Sequence, residues 1–230
     1  MRIQTYSDAA TVAAKAAEFI AQTARLAVAD RGQFTLAVSG GQTPWEMLKA
    51  LATLDVPWAS LHLFQVDERV APPGHADRNL THLEASLLNL APLPPQNLHA
   101  MPVNAKDLAS AADDYAQLLA RIAGQPAMLD VVHLGLGADG HTASLVPGDP
   151  SLDVVDRDVA ITGLYQGRQR MTLTYPLLNR ARHILWLATG ESKQPMLARL
   201  LEADPTIPAG RVSAAQGLVM ADQAAWPKPA

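Results

Sequence analysis

The stretch FTLAVSGGQTP, residues 34–44, decides the fold because it contains one complete strand–turn–helix unit. Residues 34–38 form a short apolar run of the kind that a buried strand needs. Residues 39–41 follow as a glycine-containing turn, and Thr43 with Pro44 resembles the N-cap and the first residue of a helix. A strand that passes through such a turn into a helix is the repeating unit of proteins with a parallel sheet.

The same alternation continues along the chain. Beyond the first unit, the predicted strands are residues 61–66, 130–136, 159–164, 171–174 and 183–188. The predicted helices are a long one capped by Ser7 and ended by Arg31 and Gly32, then residues 79–88, 106–122 and 192–202. We therefore expect an α/β fold with a mostly parallel, Rossmann-like central sheet and helices on both faces. No repeat or interdomain linker interrupts residues 1–230, so the sequence predicts a single domain.

Composition excludes several classes of function. The chain has no cysteine, which rules out disulfides, thiolate metal sites and thiol catalysis. Its formal net charge is −4 and no run of like charges occurs, so we expect no nucleic-acid partner. No apolar run approaches the roughly 18 residues of a membrane span, and the N-terminus lacks a signal-peptide core. We therefore expect a cytoplasmic protein without a membrane partner.

Three loops directly follow predicted strands, at residues 39–44, 67–69 and 135–142. In a parallel sheet these loops share one edge. The first resembles a phosphate cradle, because adjacent glycines let backbone N–H groups approach an anion and the positive end of the next helix points there. An ordinary tight turn explains it equally well, since no Walker lysine follows.

The third loop fits the pattern G-x-G-x-x-G, but a dinucleotide site is not expected. Pro147 ends any helix begun near Thr142 after about two turns, whereas a dinucleotide site needs a full-length helix. The loop instead places Asp139 and His141 two residues apart. Imidazole is the natural general base at neutral pH, and a nearby carboxylate orients it. A histidine that caps a short helix and an aspartate bonded to its own backbone remain open alternatives.

Two further features concern anion binding and catalysis. Lys193 lies in the first turn of a predicted helix, where it opposes the helix dipole; an anionic ligand or ordinary surface charge would explain it. His133 alternates within an apolar strand and is expected in the core. No histidine pair has metal-ligand spacing and no Gly-x-Ser-x-Gly elbow occurs, so neither a metal, a cofactor nor an acyl-enzyme is expected.

Several stretches together resemble one known family. They are SGGQTP at residues 39–44, DER at 67–69 with Asn79 downstream, GLGADGHTASLVPG at 135–148, RMTLT at 170–174 and GESK at 190–193. The family is that of the 6-phosphogluconolactonases, and the resemblance covers nearly the whole chain. The related glucosamine-6-phosphate deaminases share the glycine loop and Asp-Gly-His, but continue as Ile-Ala-Phe-Asn-Glu where this chain has residues 142–146. The chain departs from the lactonase pattern at Arg78, Val146 and residues 166–169.

The resemblance implies hydrolysis of 6-phospho-D-glucono-1,5-lactone to 6-phosphogluconate, a step of the oxidative pentose phosphate pathway, without metal, cofactor or covalent intermediate. The implied catalytic residues are His141 as general base, Asp139 and Asp67. The implied phosphate ligands are Gly40, Gly41, Thr43, Arg69, Arg170 and Lys193. The implied further substrate contacts are Ser39, Asn79, Gly137 and Thr142.

A lactone agrees with these residues in chemical terms, because an activated ester needs only oriented water, a base and stabilisation of the oxyanion. Two alternatives stay open. One is a sugar-phosphate isomerase or deaminase in which Asp67 removes a carbon-bound proton. The other is a sugar-phosphate-sensing binding domain, although such regulators normally carry a helix-turn-helix for which the segment before Ser39 leaves no room.

Overall fold

The fold is built around parallel strands that alternate with helices, as a computed structural model describes for residues 1–227. The strands are β1 (Arg2–Tyr6), β2 (Phe34–Val38), β3 (Leu61–Gln65), β4 (Asp67–Arg69), β5 (Leu98–His99), β6 (Val131–Gly135), β7 (Val159–Ile161), β8 (Arg170–Leu173), β9 (His183–Ala188) and β10 (Gly217–Asp222). The helices are α1 (Ala9–Arg31), α2 (Gln42–Ala52), α3 (Asn79–Leu83), α4 (Leu108–Ala123), α5 (Tyr175–Arg180) and α6 (Gln194–Leu201). A π-helical turn, Glu84–Leu88, continues α3.

Seven strands form the central sheet in the order β1-β10-β9-β6-β2-β3-β5, and every pair in it is parallel. From β2 the chain winds outward to β3 and β5. From β6 it winds outward in the other direction to β9 and β10. The direction therefore reverses between β2 and β6, and in open α/β sheets such a switch point is where ligands bind. The predicted α/β class with a parallel, Rossmann-like sheet is confirmed.

Two apolar clusters cover the two faces of this sheet. Successive side chains of a strand point to opposite faces, so Val131 belongs to one cluster while Val132 and Leu134 belong to the other. The first cluster packs against α1 and α2, and the second packs against α4, α5 and α6. The side of α1 that packs inward is mostly alanine: Val12, Ala13, Ala16, Ala17, Ile20, Ala21, Ala24 and Ala27. Small side chains let this long helix lie close to its neighbours, as an interior poor in aromatics requires.

The helix ends differ from expectation in two places. Asp8, not Ser7, caps α1, because its carboxylate accepts the Thr11 N–H at 2.8 Å. Ser7 Oγ donates to Asp8 at 2.6 Å and lies 3.3 Å from the Thr11 hydroxyl, so it does not bind a backbone N–H of the helix. The cap of α2 is Gly41, with φ 135° and no side-chain hydrogen bond, rather than Thr43. A glycine cap leaves the first N–H groups of α2 without a capping side chain, which bears on the site below.

A second, smaller sheet was not expected. The segments predicted as strands at residues 159–164 and 171–174 do not join the parallel sheet; they supply β7 and β8 of an antiparallel sheet with the order β4-β8-β7. Residues 67–69, predicted as a loop, form β4. Val66 links the two sheets, since its N–H donates to Val38 O at 3.0 Å and its carbonyl accepts from Leu173 N–H at 2.9 Å. The hydrophobic pattern of a strand does not specify which sheet the strand joins. For this reason the sequence predicted the two strands but not the second sheet.

The sequence did not predict three strands of the central sheet: the two edge strands, β1 and β5, and β10, which lies beside β1. The first two are short or exposed, so they lack the apolar run of a buried strand. Within residues 1–227, no helix has both the length and the apolar character that crossing a membrane demands.

Candidate active site

A cavity of about 410 Å³ lies in front of the switch point, where the loops after β9, β6, β2 and β3 converge. Nine of the site residues predicted from the sequence contribute to the wall of this cavity. They are Ser39, Gly40, Gly41, Thr43, Asp67, Arg69, Gly137, His141 and Lys193. The remaining lining residues are Gln42, Pro44, Gly135, Leu136, Ala138, Ala143, Leu187 and Thr189. The other four predicted site residues are not part of this lining: Asn79, Thr142 and Arg170 are buried, and Asp139 is exposed.

The glycine turn after β2 is held closely on both sides. A Cβ on Gly40 would lie 2.1 Å from Asn79 Oδ1, so only glycine fits there. On the other side, the Ser39 N–H donates to His133 Nδ1 at 3.2 Å and Ser39 Oγ donates to the His133 carbonyl at 3.0 Å. His133 is fully buried, as predicted, and burial lowers its pKa to about 3. A neutral imidazole therefore anchors the turn.

Backbone N–H groups of α2 face the cavity beside this turn. The first turn of a helix has no intrahelical acceptors for its N–H groups, so those of Gln42 and Thr43 are available to a ligand. The helix dipole adds a partial positive charge at the same place. The Thr43 hydroxyl is 2.6 Å from the Thr189 hydroxyl, which links α2 to the loop after β9.

His141 and Asp139 form a closely bonded pair at the end of β6. The ring Nδ1 of His141 is 2.6 Å from Asp139 Oδ1, and the same oxygen accepts the His141 backbone N–H at 3.1 Å. Burial raises the pKa of Asp139, but the hydrogen bonds from His141 and Tyr165 outweigh it and leave that pKa below its ordinary value. The ionised carboxylate thus engages Nδ1, which leaves Nε2 as the ring atom available to the cavity.

Gly137 allows the imidazole to sit where it does. A Cβ at this position would lie 2.1 Å from His141 Nδ1. The loop then turns back on itself, since Gly137 N–H donates to the His141 carbonyl at 2.8 Å. Thr142 is fully buried, and its hydroxyl has no hydrogen-bond partner within residues 1–227. No helix begins at Thr142, so His141 does not act as a helix cap.

Asp67 reaches the cavity from β4 and is bonded from behind. Its Oδ2 accepts from Ser144 Oγ at 2.6 Å, and its Oδ1 accepts from Asn79 Nδ2 at 3.3 Å. Asn79 Nδ2 also donates to the Asp67 carbonyl at 2.9 Å. The Asn79 side chain is therefore a support for Asp67 and for the turn at Gly40.

Two arginines accompany Asp67. Arg69 Nε lies 3.8 Å from Asp67 Oδ2, and Arg69 Nη1 donates to the Asp77 carbonyl at 3.0 Å. Arg170 is buried beneath the lining, with Nη1 3.4 Å from Ser144 Oγ and Nη2 3.2 Å from Gln166 Oε1. Burial, and the positive charge of Arg69, lower the pKa of Arg170. Both guanidinium groups thus concentrate positive charge at one side of the cavity.

Lys193 supplies the cation on the opposite loop. It ends a short 3-10 turn, Glu191–Lys193, and α6 begins at the next residue. Its ammonium donates to the Leu136 carbonyl at 2.7 Å, which bends the side chain toward the loop that carries His141. This contact uses one of the three N–H donors of the ammonium.

Glu68, next to Asp67, has a structural role. It is fully buried and accepts hydrogen bonds from the backbone of Arg69, Asn79 and Leu80 at 2.7–2.8 Å. Arg78 Nε lies 3.2 Å from it, so the departure from the family pattern at Arg78 completes a buried ion pair. Breaking such a pair generally costs about 3–5 kcal/mol.

Sequence reasoning missed Gln42, Thr189 and Tyr165. The first lies within the quoted glycine loop but has no distinctive chemistry. The other two come from segments without a motif, and only the fold brings them to the site. Within residues 1–227, no three His, Asp or Glu side chains are grouped so that they could hold a metal ion.

Fold and site together define a class: an α/β protein whose polar, cation-bearing cavity lies at the switch point of a parallel sheet. Residues 7–221 match the model of a family described as glucosamine-6-phosphate isomerases/6-phosphogluconolactonase. The chain belongs to this family.

Individual relatives agree with this assignment. The 6-phosphogluconolactonase of Synechocystis sp. is 42% identical over 185 residues, which are 78% of this chain and 77% of the relative. The crystal structure of the 6-phosphogluconolactonase from Thermotoga maritima superposes with a TM-score of 0.85 at 26% identity and covers 96% of this chain and 98% of its own. A monomeric glucosamine-6-phosphate deaminase superposes with a TM-score of 0.86 at 18% identity, covering 98% of each chain. The deaminase and the lactonase therefore share one fold, and the fold alone does not distinguish deaminase from lactonase activity.

The buried imidazole of His133 makes stability depend on pH. In the unfolded chain an imidazole ionises near pH 6.5, whereas burial lowers the pKa of His133 to about 3 in the folded protein. Between these values the unfolded chain binds the extra proton, so the free energy of unfolding falls as the pH falls. In His133→Asn, whose amide oxygen can still accept the Ser39 N–H, we expect the slope of that free energy between about pH 4 and 6 to decrease by about 1.4 kcal/mol per pH unit. Urea unfolding at several pH values measures the slope; equal slopes in both proteins would contradict this account.

Proposed function

We propose that this protein hydrolyses 6-phospho-D-glucono-1,5-lactone to 6-phosphogluconate. The observation that carries the proposal is the His141–Asp139 pair, with Nε2 left to the cavity that Lys193 and the start of α2 also line. The relative from Synechocystis sp. supports the same activity through its name. We further propose that residues 1–230 act as a single domain and that the substrate is a small sugar-phosphate lactone.

The phosphate would be held by the glycine turn and the cations. The N–H groups of Gln42 and Thr43, the adjacent glycines and the ammonium of Lys193 give a dianion both directed donors and positive charge. Arg69 adds a guanidinium from the opposite side of the cavity. Arg170 would act from behind, by its charge and through Ser144, since it does not line the cavity.

The proposed reaction begins at the His141 ring. Nε2 removes a proton from water as the water oxygen attacks the lactone carbonyl carbon, and Nδ1–H stays bonded to Asp139. The carbonyl oxygen gains negative charge, for which the backbone N–H donors and the cations of the cavity are available. The tetrahedral intermediate then collapses with cleavage of the bond to the ring oxygen. That oxygen takes the proton back from Nε2, so the imidazole is neutral again and the product is the open-chain acid.

Asp67 has a different proposed role. Its two carboxylate oxygens already accept from Ser144 and Asn79, and Arg69 lies beside it. We infer that it orients Arg69 and accepts a substrate hydroxyl rather than acting as the base. Ser39, Asn79, Gly137 and Thr142 shape the walls that hold these groups.

A direct assay tests the function. The purified protein should accelerate the disappearance of 6-phosphogluconolactone above its spontaneous opening, and should release no ammonia from glucosamine 6-phosphate. The second measurement is needed because the deaminase fold is the same. Ammonia release at a comparable rate, or a lactone decay equal to the uncatalysed one, would overturn the proposal.

Replacing the proposed base should lower kcat. We expect His141→Ala to reduce kcat at least ~10²-fold, the usual share of general-base catalysis, with a smaller change in KM because the phosphate still anchors the substrate. His141→Asn should not restore the rate, since an amide cannot take up the proton of water. The exposed His82 provides a matched control, and His82→Ala should leave kcat unchanged. Near-normal kcat in His141→Ala, after subtraction of spontaneous hydrolysis, would show that another group is the base.

Removing a proposed phosphate ligand should act mainly on KM. For Lys193→Ala we expect KM to rise roughly ten- to hundredfold, the equivalent of a charge-assisted contact of about 1.5–3 kcal/mol, while kcat changes less. Lys106→Ala is the control, because Lys106 is exposed and outside the cavity. Steady-state kinetics at fixed ionic strength distinguish the two variants. Identical KM values in both would mean that the Lys193 ammonium only supports the Leu136 loop.

A further inference from the structure

We propose that Tyr165 is a positioning residue that holds the His141–Asp139 pair from the tip of the hairpin between β7 and β8. This inference rests on the proposed function, in which His141 is the base. It concerns a residue without a sequence motif, 26 positions away from Asp139 along the chain. Tyr165 does not line the cavity, so it would act through Asp139 and not on the substrate.

The contacts divide the two oxygens of Asp139 between two partners. Oδ1 engages the ring and backbone N–H of His141, while Oδ2 accepts the Tyr165 hydroxyl at 3.0 Å. A carboxylate bonded at one oxygen only can still rotate about its terminal torsion, which has a broad minimum. The second bond fixes that torsion. The Tyr165 ring also packs edge-on against the imidazole, with centroids 5.6 Å apart.

The hairpin tip is itself anchored. Tyr165 and Arg168 exchange backbone hydrogen bonds of 3.0 and 3.2 Å around Gln166 and Gly167, whose φ angles of 52° and 76° form a tight turn. Arg168 Nε then binds Asp77 Oδ2 at 2.9 Å, on the loop that follows β4. The tip therefore joins the wall that carries Asp67 to the loop that carries His141.

Arg170 supports the tyrosine from below. Its guanidinium carbon lies 4.9 Å from the centre of the Tyr165 ring, within the range of a cation–π contact. Its Nη2 also binds the side chain of Gln166 in the turn. The neighbouring Leu164 is 81% exposed, so apolar burial does not explain why this tip lies against the site.

The electrostatics agree with a donor role for the tyrosine. Burial, and the adjacent Asp139 carboxylate, raise the pKa of Tyr165, so its hydroxyl stays protonated at neutral pH. The hydrogen bond from Tyr165 partly neutralises the negative charge of Asp139. That charge would otherwise stabilise the protonated ring of His141 more strongly. The other charged groups that face the pair are Arg170 beneath Tyr165, and Asp67, Arg69 and Lys193 on the other walls of the cavity.

Tyr165→Phe removes the hydroxyl and keeps the ring. We expect kcat to fall about three- to tenfold, the effect of one lost hydrogen bond, with KM within about twofold of the original value. The acid limb of the kcat–pH profile should move to higher pH. Without the Tyr165 hydroxyl, the negative charge of Asp139 acts more fully on His141 and favours the protonated imidazole. Leu164→Ala, at the adjacent exposed position, should change neither quantity. The His141 ring titration, followed by NMR without substrate, should move in the same direction as the acid limb.

Two outcomes would overturn the proposal. One is a Tyr165→Phe protein with unchanged kcat and an unchanged acid limb. The other is a loss of kcat accompanied by a lowered Tm and an unmoved titration, which would make the tyrosine merely a packing residue. If the original protein fails to hydrolyse the lactone while the NMR titration still shifts in Tyr165→Phe, the proposed function is wrong and the positioning of His141 by Tyr165 stands.

Discussion

The parting of β2 and β6 is the constraint on which the site depends. These neighbouring strands pair only at Leu36 with Val131 and at Ala37 with Val132. Beyond that point His133 replaces the strand-to-strand hydrogen bonds, because its ring nitrogen accepts the Ser39 N–H and its backbone carbonyl accepts the Ser39 hydroxyl. The segment after β2 leads to α2 on one face of the sheet, whereas the segment after β6 packs on the other face. A crevice opens between these two segments. If β2 and β6 remained paired as far as Val38 and Gly135, no crevice would open between the segments that follow them.

Close backbone approach keeps that crevice narrow. Gly40 lies against Asn79, and Gly137 lies against the ring of His141; in both places a Cβ would overlap its neighbour at 2.1 Å. The position of the glycine turn and that of the imidazole therefore depend on the absence of a Cβ at each glycine as well as on the hydrogen bonds around them. This explains why the glycine-rich loops were informative in the sequence, although a tight turn alone could have produced the same residues.

The parts of the fold that could be predicted are those determined by local pattern. The run at residues 34–38, the helix that ends at Arg31 with Gly32 as its cap, and the strand at 183–188 are each encoded by neighbouring residues, and they were placed correctly. The small antiparallel sheet was not predicted, because an apolar run such as 171–174 does not specify its partner strand. The cap at Asp8 instead of Ser7 depended on which of two adequate side chains reaches Thr11.

The same distinction holds for the site. Asp139 and His141 are two residues apart, so their pairing could be expected from spacing alone. The contacts of Asp67 with Ser144 and of Asp139 with Tyr165 span 77 and 26 positions, and they join residues of the small sheet and its hairpin to the loop after β6. Sequence reasoning therefore found the groups that face the cavity better than the groups that hold them.

Charge compensation explains how a protein of net charge −4 can keep two arginines together beside the cavity, the half-buried Arg69 and the buried Arg170. Burial lowers the pKa of Arg170 and the nearby charge of Arg69 adds to this, so the proximity of the two arginines is unfavourable on its own. Asp67 offsets this repulsion through Arg69 directly, and through Ser144, which lies between its carboxylate and Arg170. At physiological salt, charges more than about 8 Å away are largely screened, so these local groups rather than the net charge set the field in the cavity. Under the proposed function, a substrate phosphate would meet cations already held in place, and its binding would not have to bring two arginines together.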